Sequence, residues 1–389
     1  MVMFALSQDR LNMDLDRDSL ELMLNLLDCD ETAQLDDNTD VALVKQNRKK
    51  IRELCRNMQK HGHAKHLHLD NITAGKLAME TLLSLTSKRA GEWFKEELRE
   101  LGGMDHLVRT ITQCAKLFTP EMETWTKPLL EKLSKADRCL KVLENVTHQN
   151  VDNQEYLLTL NEGIFPQKVL QMFRMCRIEV PLYPTTESKT QTSINGTSSG
   201  ELLAQSLLTV LKVLVNITYG SHKEAMGSKL LGAQTESYEI TLYCLMVLPK
   251  YLEHDHAFEV QVLSCCLLLN LIEHSQENRK RLMRTNAPDI FDTDDDIFGG
   301  KTEQKGAMKA LVELFYRSEE SARQQEVSTD NLIDNDLAKK TNANDEEKKD
   351  DEIEETVTKL LQKAGHHMED TLIAAYTALL TGYCIMDGE

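Results

Sequence analysis

Three groups of ligand-type side chains stand out in this sequence, and each lacks something its chemistry requires. Asp292, Asp294, Asp296 and Glu303 fall at the first, third, fifth and twelfth positions of an EF-hand calcium loop. The sixth position, where glycine makes the sharp turn, holds Ile297. A solvated acidic loop accounts for the run better than a calcium site. His61, His63, His66 and His68 cluster between predicted helices, with no cysteine or carboxylate set at zinc spacing beside them. His366 and His367 are consecutive, so on a helix they point in different directions and do not make one site. The sequence therefore announces no metal site and no cofactor. It also carries no glycine-rich phosphate loop, serine elbow or cysteine–histidine pairing in context, so it reads as non-catalytic.

Charge narrows the function classes further. The 389 residues carry 45 Lys and Arg against 63 Asp and Glu, a formal net charge of −18. An acidic surface repels phosphate, so direct nucleic-acid binding is not expected. The basic run Arg48, Lys49, Lys50 and Arg52 reads as a solvated helix face. Much of the acid lies between Glu319 and Glu355, and residues 319–351 read as a charged, disordered insertion. Nine cysteines at irregular spacing argue against a closed disulfide framework and for a reducing compartment, cytosol or nucleus. No apolar stretch reads as long enough to span a membrane.

The elements that must position any site are helices. Leucine, glutamate, lysine and methionine are abundant and only 17 glycines and 7 prolines occur, a mix that favours helix over hairpin. Apolar periodicity predicts helices over residues 16–27, 41–58, 71–86, 91–101, 104–118, 124–133, 135–147, 166–177, 201–219, 234–252, 257–274, 276–284 and 302–317, with more in 352–386. Pro181, Pro184 and many Ser and Thr residues mark 180–200 as a flexible loop. Sheet content is expected to be close to zero.

Several helices share a phrase. Leu143-Glu-Asn145-Val-Thr147, Leu214-Val-Asn216-Ile-Thr218 and Leu269-Asn270-Leu-Ile272 each set asparagine in an apolar run near a helix end, and Leu83-Ser-Leu-Thr86 is a serine variant. Asparagine is costly to bury without partners, but its amide can tie a helix to the backbone of an adjoining turn. A polar turn and a further helix follow, as in Ser275-Gln-Glu-Asn-Arg279. The pattern is that of an all-α, HEAT/armadillo-like helical-repeat solenoid, with residues 1–389 as one domain.

Longer words carry a resemblance. Met3-Phe-Ala-Leu-Ser-Gln-Asp-Arg-Leu-Asn-Met-Asp-Leu-Asp-Arg17 and Leu77-Ala-Met-Glu-Thr-Leu-Leu-Ser-Leu-Thr-Ser-Lys-Arg-Ala-Gly-Glu-Trp-Phe-Lys-Glu-Glu-Leu-Arg99 are two of them. Asn153-Gln-Glu-Tyr-Leu157, Val247-Leu-Pro-Lys-Tyr251, His366-His-Met-Glu-Asp370 and Ala375-Tyr-Thr-Ala-Leu-Leu380 are others. Together they resemble the C-terminal domain of the wings apart-like family from end to end. The resemblance implies a HEAT-repeat domain of a nuclear, chromatin-associated protein, partly cytoplasmic, that promotes release of cohesin from chromatin. Implied partners are cohesin's kleisin, its HEAT-type accessory subunit, its ATPase heads, and a Pds-type accessory protein, with no membrane. It further implies that the family domain begins upstream of Met1 and continues past Glu389, and that an N-terminal region with Phe-Gly-Phe motifs is absent. Residues 116–133 and 165–200 depart from the family pattern.

The candidate interaction surface is the stretch from Ser87 to Arg99. Lys88, Arg89, Glu92, Lys95, Glu96 and Arg99 recur at three- and four-residue steps and should share exposed faces. A scaffold that regulates cohesin by releasing it from chromatin is the reading favoured. A generic helical-repeat scaffold or a nucleic-acid-binding solenoid is the alternative.

Overall fold

The structure, a computed structural model, describes residues 4, 7, 17–28, 41–65, 67, 69, 72–87, 92–119, 124–186, 192–194, 196–220, 225–288, 306–340 and 349–386. They form an all-α helical-repeat fold. The chain divides into two compact units, Met1–Ile217 and Thr218–Glu389.

The first unit holds α1 (Arg17–Asp28), α2 (Val41–Lys60), α3 (Ala74–Ser87), α4 (Glu92–Glu100), α5 (Gly103–Ala115), α6 (Lys127–Thr147), α7 (Val151–Thr159), α8 (Ile164–Glu179) and α9 (Ser199–Thr218), whose last residue opens the second unit. The helix α6 replaces two expected ones. Extended Thr126 precedes it, Pro128 sits in its first turn, and no glycine or proline interrupts the run to Thr147. It packs against α3 and α5, and its Leu130, Leu133, Leu140 and Leu143 are all fully buried. Burying a leucine side chain stabilises by about 1.5–3 kcal/mol, so this stripe outweighs any single polar contact nearby. Trp125 shuts the α5–α6 connection, its ring 5.6 Å from Phe118 and its indole N–H donating to Glu179 Oε2 at 2.9 Å. A smaller cluster gathers Phe4, Cys55, Ala64, Ile72 and Leu77.

Within 180–200 the chain makes a 3-10 turn, Val180–Leu182, and a two-residue antiparallel hairpin, β1 (Ser193–Ile194) with β2 (Thr197–Ser198). Gly196 (φ 86°) supplies the left-handed conformation that so tight a turn requires.

The second unit holds α10 (Met226–Gly232), which the sequence reading misses, then α11 (Thr235–Met246), α12 (His254–Ile272), α13 (Gln276–Arg284), α14 (Ala307–Lys340) and α15 (Lys349–Ile385). Pro249 converts the end of the expected 234–252 helix into a 3-10 turn, Leu248–Tyr251. The larger correction concerns 319–351. Helix α14 runs on to Lys340, and α15 begins at Lys349, where disorder is expected. No glycine or proline falls between Ala307 and Lys340, and α14 pairs along α15, with Ser321 Oγ donating to Asp370 Oδ2 at 2.6 Å. Tertiary pairing decides what charge alone argues against.

Helices α9 and α12 are long and apolar enough to cross a membrane by length and composition, which corrects the expectation that no stretch is. In α9, 72% of that window is buried within the protein, as in a core helix. The EF-hand-like run, with His66 and His68, lies outside the described residues.

Candidate functional site

The asparagine phrase becomes a relay of side chains. Asn145 Nδ2 donates to Thr86 Oγ1 at 3.0 Å, and Asn216 Nδ2 donates to Thr147 Oγ1 at 3.3 Å and to the Glu144 carbonyl at 2.9 Å. In the second unit Asn270 Nδ2 donates to Thr218 Oγ1 at 3.2 Å. Thr86 and Thr147 spend their own proton on the carbonyl four residues back, at 2.8 and 2.7 Å, which leaves lone pairs free to accept. Two residues along a helix is a rotation of about 200°, so Asn and Thr in Asn-x-Thr face opposite flanks. One flank donates and the other accepts. The serine variant starts the relay, with Ser84 Oγ donating to the Ser7 carbonyl at 2.9 Å. Ile272 stands where the next threonine would be and offers no acceptor. The sequence expectation of ties to backbone thus holds for Asn216, while the hydroxyl partners are new.

A second asparagine recurs 125 residues apart. The side chain of Asn150 caps α7 by accepting from Asn153 N, and that of Ser275 caps α13 by accepting from Asn278 N. Asn153 Nδ2 then donates to the carbonyls of Val146 (3.0 Å) and Lys95 (3.3 Å), and Asn278 Nδ2 to those of Leu271 (2.7 Å) and Ser228 (3.1 Å). In each case the amide satisfies a carbonyl at the end of the preceding helix, an orphan by position. Gly232 sits so close to Asn278 that an added Cβ would lie 2.2 Å from its Nδ2.

These ties absorb part of the expected interaction surface. Lys95 is only 8% exposed, and its ammonium donates to the His148 carbonyl at the C-terminal end of α6, where the helix dipole favours a cation. Arg99 Nη1 donates to Asn153 Oδ1 at 2.7 Å. Glu96 is exposed, as is Trp93, while Glu97 and Glu100 face Arg17 at 3.5 and 3.8 Å. Lys88 and Arg89 lie outside the described residues, as does the side chain of Glu92. The six residues therefore do not share one exposed face, because Lys95 points inward. Beside Ser87 a groove of about 440 Å³ opens, lined by Glu80, Leu83, Ser84, Lys141, Glu144 and Asn145. Its walls carry both signs. Glu80 pairs with Arg138, and Lys141 pairs with the buried Asp137 at 2.8 Å, which also accepts from Thr209 Oγ1 at 2.8 Å.

In the second unit three ligand-type side chains converge that no sequence spacing suggests. His254, at the start of α12, places Nε2 at 3.1 Å from Glu369 Oε2, and His366 places Nδ1 at 3.6 Å from the same oxygen. The two imidazoles meet edge to face with centroids 4.4 Å apart. His366 does not pair with His367 in this group; its partners lie one turn on and on another helix.

The comparisons with known proteins add the lineage. The family described as "Wings apart-like protein regulation of heterochromatin" matches residues 1–278. "Protein wings apart-like" of Drosophila melanogaster is 41% identical over 394 residues, covering 100% of this chain and 22% of the relative. The chain belongs to the wings apart-like family. "Wings apart-like protein homolog" of Homo sapiens is 38% identical over 423 residues, covering 98% of this chain and 34% of the relative. A Caenorhabditis elegans relative, "Wings apart-like protein homolog 1", is 23% identical over 349 residues, 82% of this chain and 43% of the relative. The chain thus spans about a fifth to two-fifths of the length of these wings apart-like proteins. The match over 1–278 takes in both asparagine motifs of the first unit, the stretch from Ser87 to Arg99, and residues 116–133 and 165–200, the segments expected to depart from the wings apart-like pattern.

Proposed function

We propose that this chain is a non-catalytic, nuclear helical-repeat scaffold through which a wings apart-like protein engages cohesin and promotes its release from chromatin. The observation that carries the reading is 41% identity to a wings apart-like protein over the whole chain. The fold suits the role. Helices tied side chain to side chain at Thr86 and Thr147 in the first unit hold their spacing, so a surface built on them meets a partner already ordered and loses little entropy on binding.

Partners in this reading are the kleisin, the HEAT-type accessory subunit or the ATPase heads of cohesin, and a Pds-type accessory protein. The contact surface is the region from Lys88 to Arg99 with the mixed-charge groove beside Ser87. Lys88, Arg89, Glu92 and Glu96 touch the partner, while Lys95 holds α4 to the end of α6 and Arg99 holds it to α7. Mixed charge of this kind sets register and partner choice more than affinity. The test is capture of purified cohesin subcomplexes by the chain at low and moderate salt. Capture of a kleisin–accessory pair or a head complex, lost on Lys88→Glu with Arg89→Glu, supports the reading. A folded chain that captures none of them overturns it.

A further inference from the structure

We infer that His254, His366 and Glu369 form a binding site for a divalent transition-metal ion, with Zn2+ the best fit, which staples α12 to α15. Two imidazoles and one carboxylate are a recurrent zinc ligand set that leaves a fourth position for water. The candidate ligand atoms all lie within 4.8 Å of one another. With bonds of about 2.0–2.2 Å, the edge of a zinc tetrahedron is about 3.3–3.5 Å. The two contacts to Glu369 Oε2, 3.1 and 3.6 Å, bracket that edge. His254 is half-exposed and His366 and Glu369 are partly so, which leaves the side chains room to rotate into the geometry.

The supporting arrangement is also in place. The other ring nitrogen of His254, Nδ1, lies 3.6 Å from the exposed Asp255 carboxylate, beyond hydrogen-bond distance but near enough for that carboxylate to accept from it after a small rotation. His366 and Glu369 are three residues apart on one face of α15, so a single helix turn presents both. Below the site the same two helices touch again where Cys266 Sγ meets the Tyr376 hydroxyl at 3.9 Å, and where that of Tyr383 donates to Glu273 Oε1 at 3.1 Å. Residue numbers rise together along both helices, so they run parallel and the ion would pin one end of their seam. The α14–α15 pair then depends on the metal for part of its hold on α12.

The test titrates ZnCl2 into the chelator-stripped chain by calorimetry, with Co2+ absorbance reporting coordination. One equivalent should bind, and Co2+ should give the intense visible bands of a four-coordinate site. His254→Ala, His366→Ala and Glu369→Gln should each weaken binding by about tenfold or more, the scale at which even outer-shell changes act. Glu369→Gln keeps size and hydrogen bonding, so it decides the matter if a histidine variant loses helix by circular dichroism. A variant with both His61→Ala and His63→Ala should bind as the parent does. No binding at high-micromolar Zn2+ overturns the inference. So does affinity unchanged by Glu369→Gln, or binding that disappears with His61 and His63 instead.

Discussion

Asn153→Ala should cost more than any other single truncation in the asparagine network, and the structure says by how much. The side chain is fully buried and makes three bonds: to the Val146 and Lys95 carbonyls, and from Arg99 Nη1. Each neutral bond contributes about 1 kcal/mol net. The Arg99 bond is charge-assisted and intrinsically worth about 1.5–3 kcal/mol, but Arg99 keeps access to water and recovers part of that, leaving about 1. The expected loss is therefore about 3 kcal/mol. Asn216→Ala removes two bonds at a half-buried position, where water replaces much of what is lost, so about 1 kcal/mol is expected. Asn153→Asp should be worse than alanine, since it keeps the Arg99 partner but turns a carboxylate on two carbonyls. Both tryptophans, Trp93 and Trp125, belong to the first unit, so fluorescence during urea unfolding reports that unit alone. Linear extrapolation of the curves of the parent and the three variants gives the comparison. A loss below about 1 kcal/mol for Asn153→Ala, or equal losses for Asn153→Ala and Asn216→Ala, would refute the claim that this amide satisfies orphan carbonyls.

Four further outcomes follow from particular contacts. Gly232→Ala should destabilise the second unit by about 1–3 kcal/mol, because the new methyl collides with the Asn278 amide; adding Asn278→Ala should cost less than the sum, which a double-mutant cycle by circular dichroism checks. Burial and the 2.5 Å hydrogen bond to Asp105 push the Tyr156 phenol up to about 12, and Tyr376 and Tyr383 are raised as well, so Tyr156→Phe should remove one of several late-titrating phenolates from the absorbance titration. Because the raised value belongs to the folded state, stability from this group is complete below pH 10 and lost as pH rises from 10 toward 12. Burial raises the Cys176, Cys265 and Cys266 thiols, but Cys266 is only half-buried; under native conditions iodoacetamide should reach Cys266 before Cys176 and Cys265, which react only after denaturation, as mass mapping would show. Lys95→Met should lower stability by about 1 kcal/mol through loss of the bond to His148, while Glu96→Lys stays within about 0.5, measured by the same fluorescence assay.

Local pattern carries most of the fold. Leucine spacing marks α1, α3 and α13 to within a few residues, and the Asn-x-Thr phrase shows in plain sequence that polar groups must be satisfied inside a helical stack. What it hides is the partner. That Thr147 accepts from Asn216 depends on the 200° turn between positions two apart and on which helix lies alongside, and neither is written in either phrase. The same limit explains Lys95. Its three- and four-residue spacing to charged neighbours looks like a solvated face, yet the C-terminal end of α6 arrives from 53 residues away to claim its ammonium. His254 and Glu369 are farther apart still, and a ligand set divided between two helices leaves no spacing to read.

Helix α14 shows where composition misleads. Residues 319–340 are rich in charge, and charge without apolar surface argues for disorder. But Ala322 is buried, Ser321 and Ser328 reach Asp370 and Lys363 of α15, and the absence of glycine and proline lets the backbone continue. A helix that fails alone can persist as half of a pair, since nucleation is already met by the apolar turns from Ala307 to Leu314 and each further residue adds a bond at small cost. The irregular spacing of the repeats has a similar origin. Asn150 with Asn153 and Ser275 with Asn278 keep the same bonding pattern across 125 residues, because the cap is local and one partner of each amide is the carbonyl seven positions back. Insertions between such self-contained turns change the period without touching the bonds. The turn, rather than the interval, is the conserved unit of this architecture within the chain.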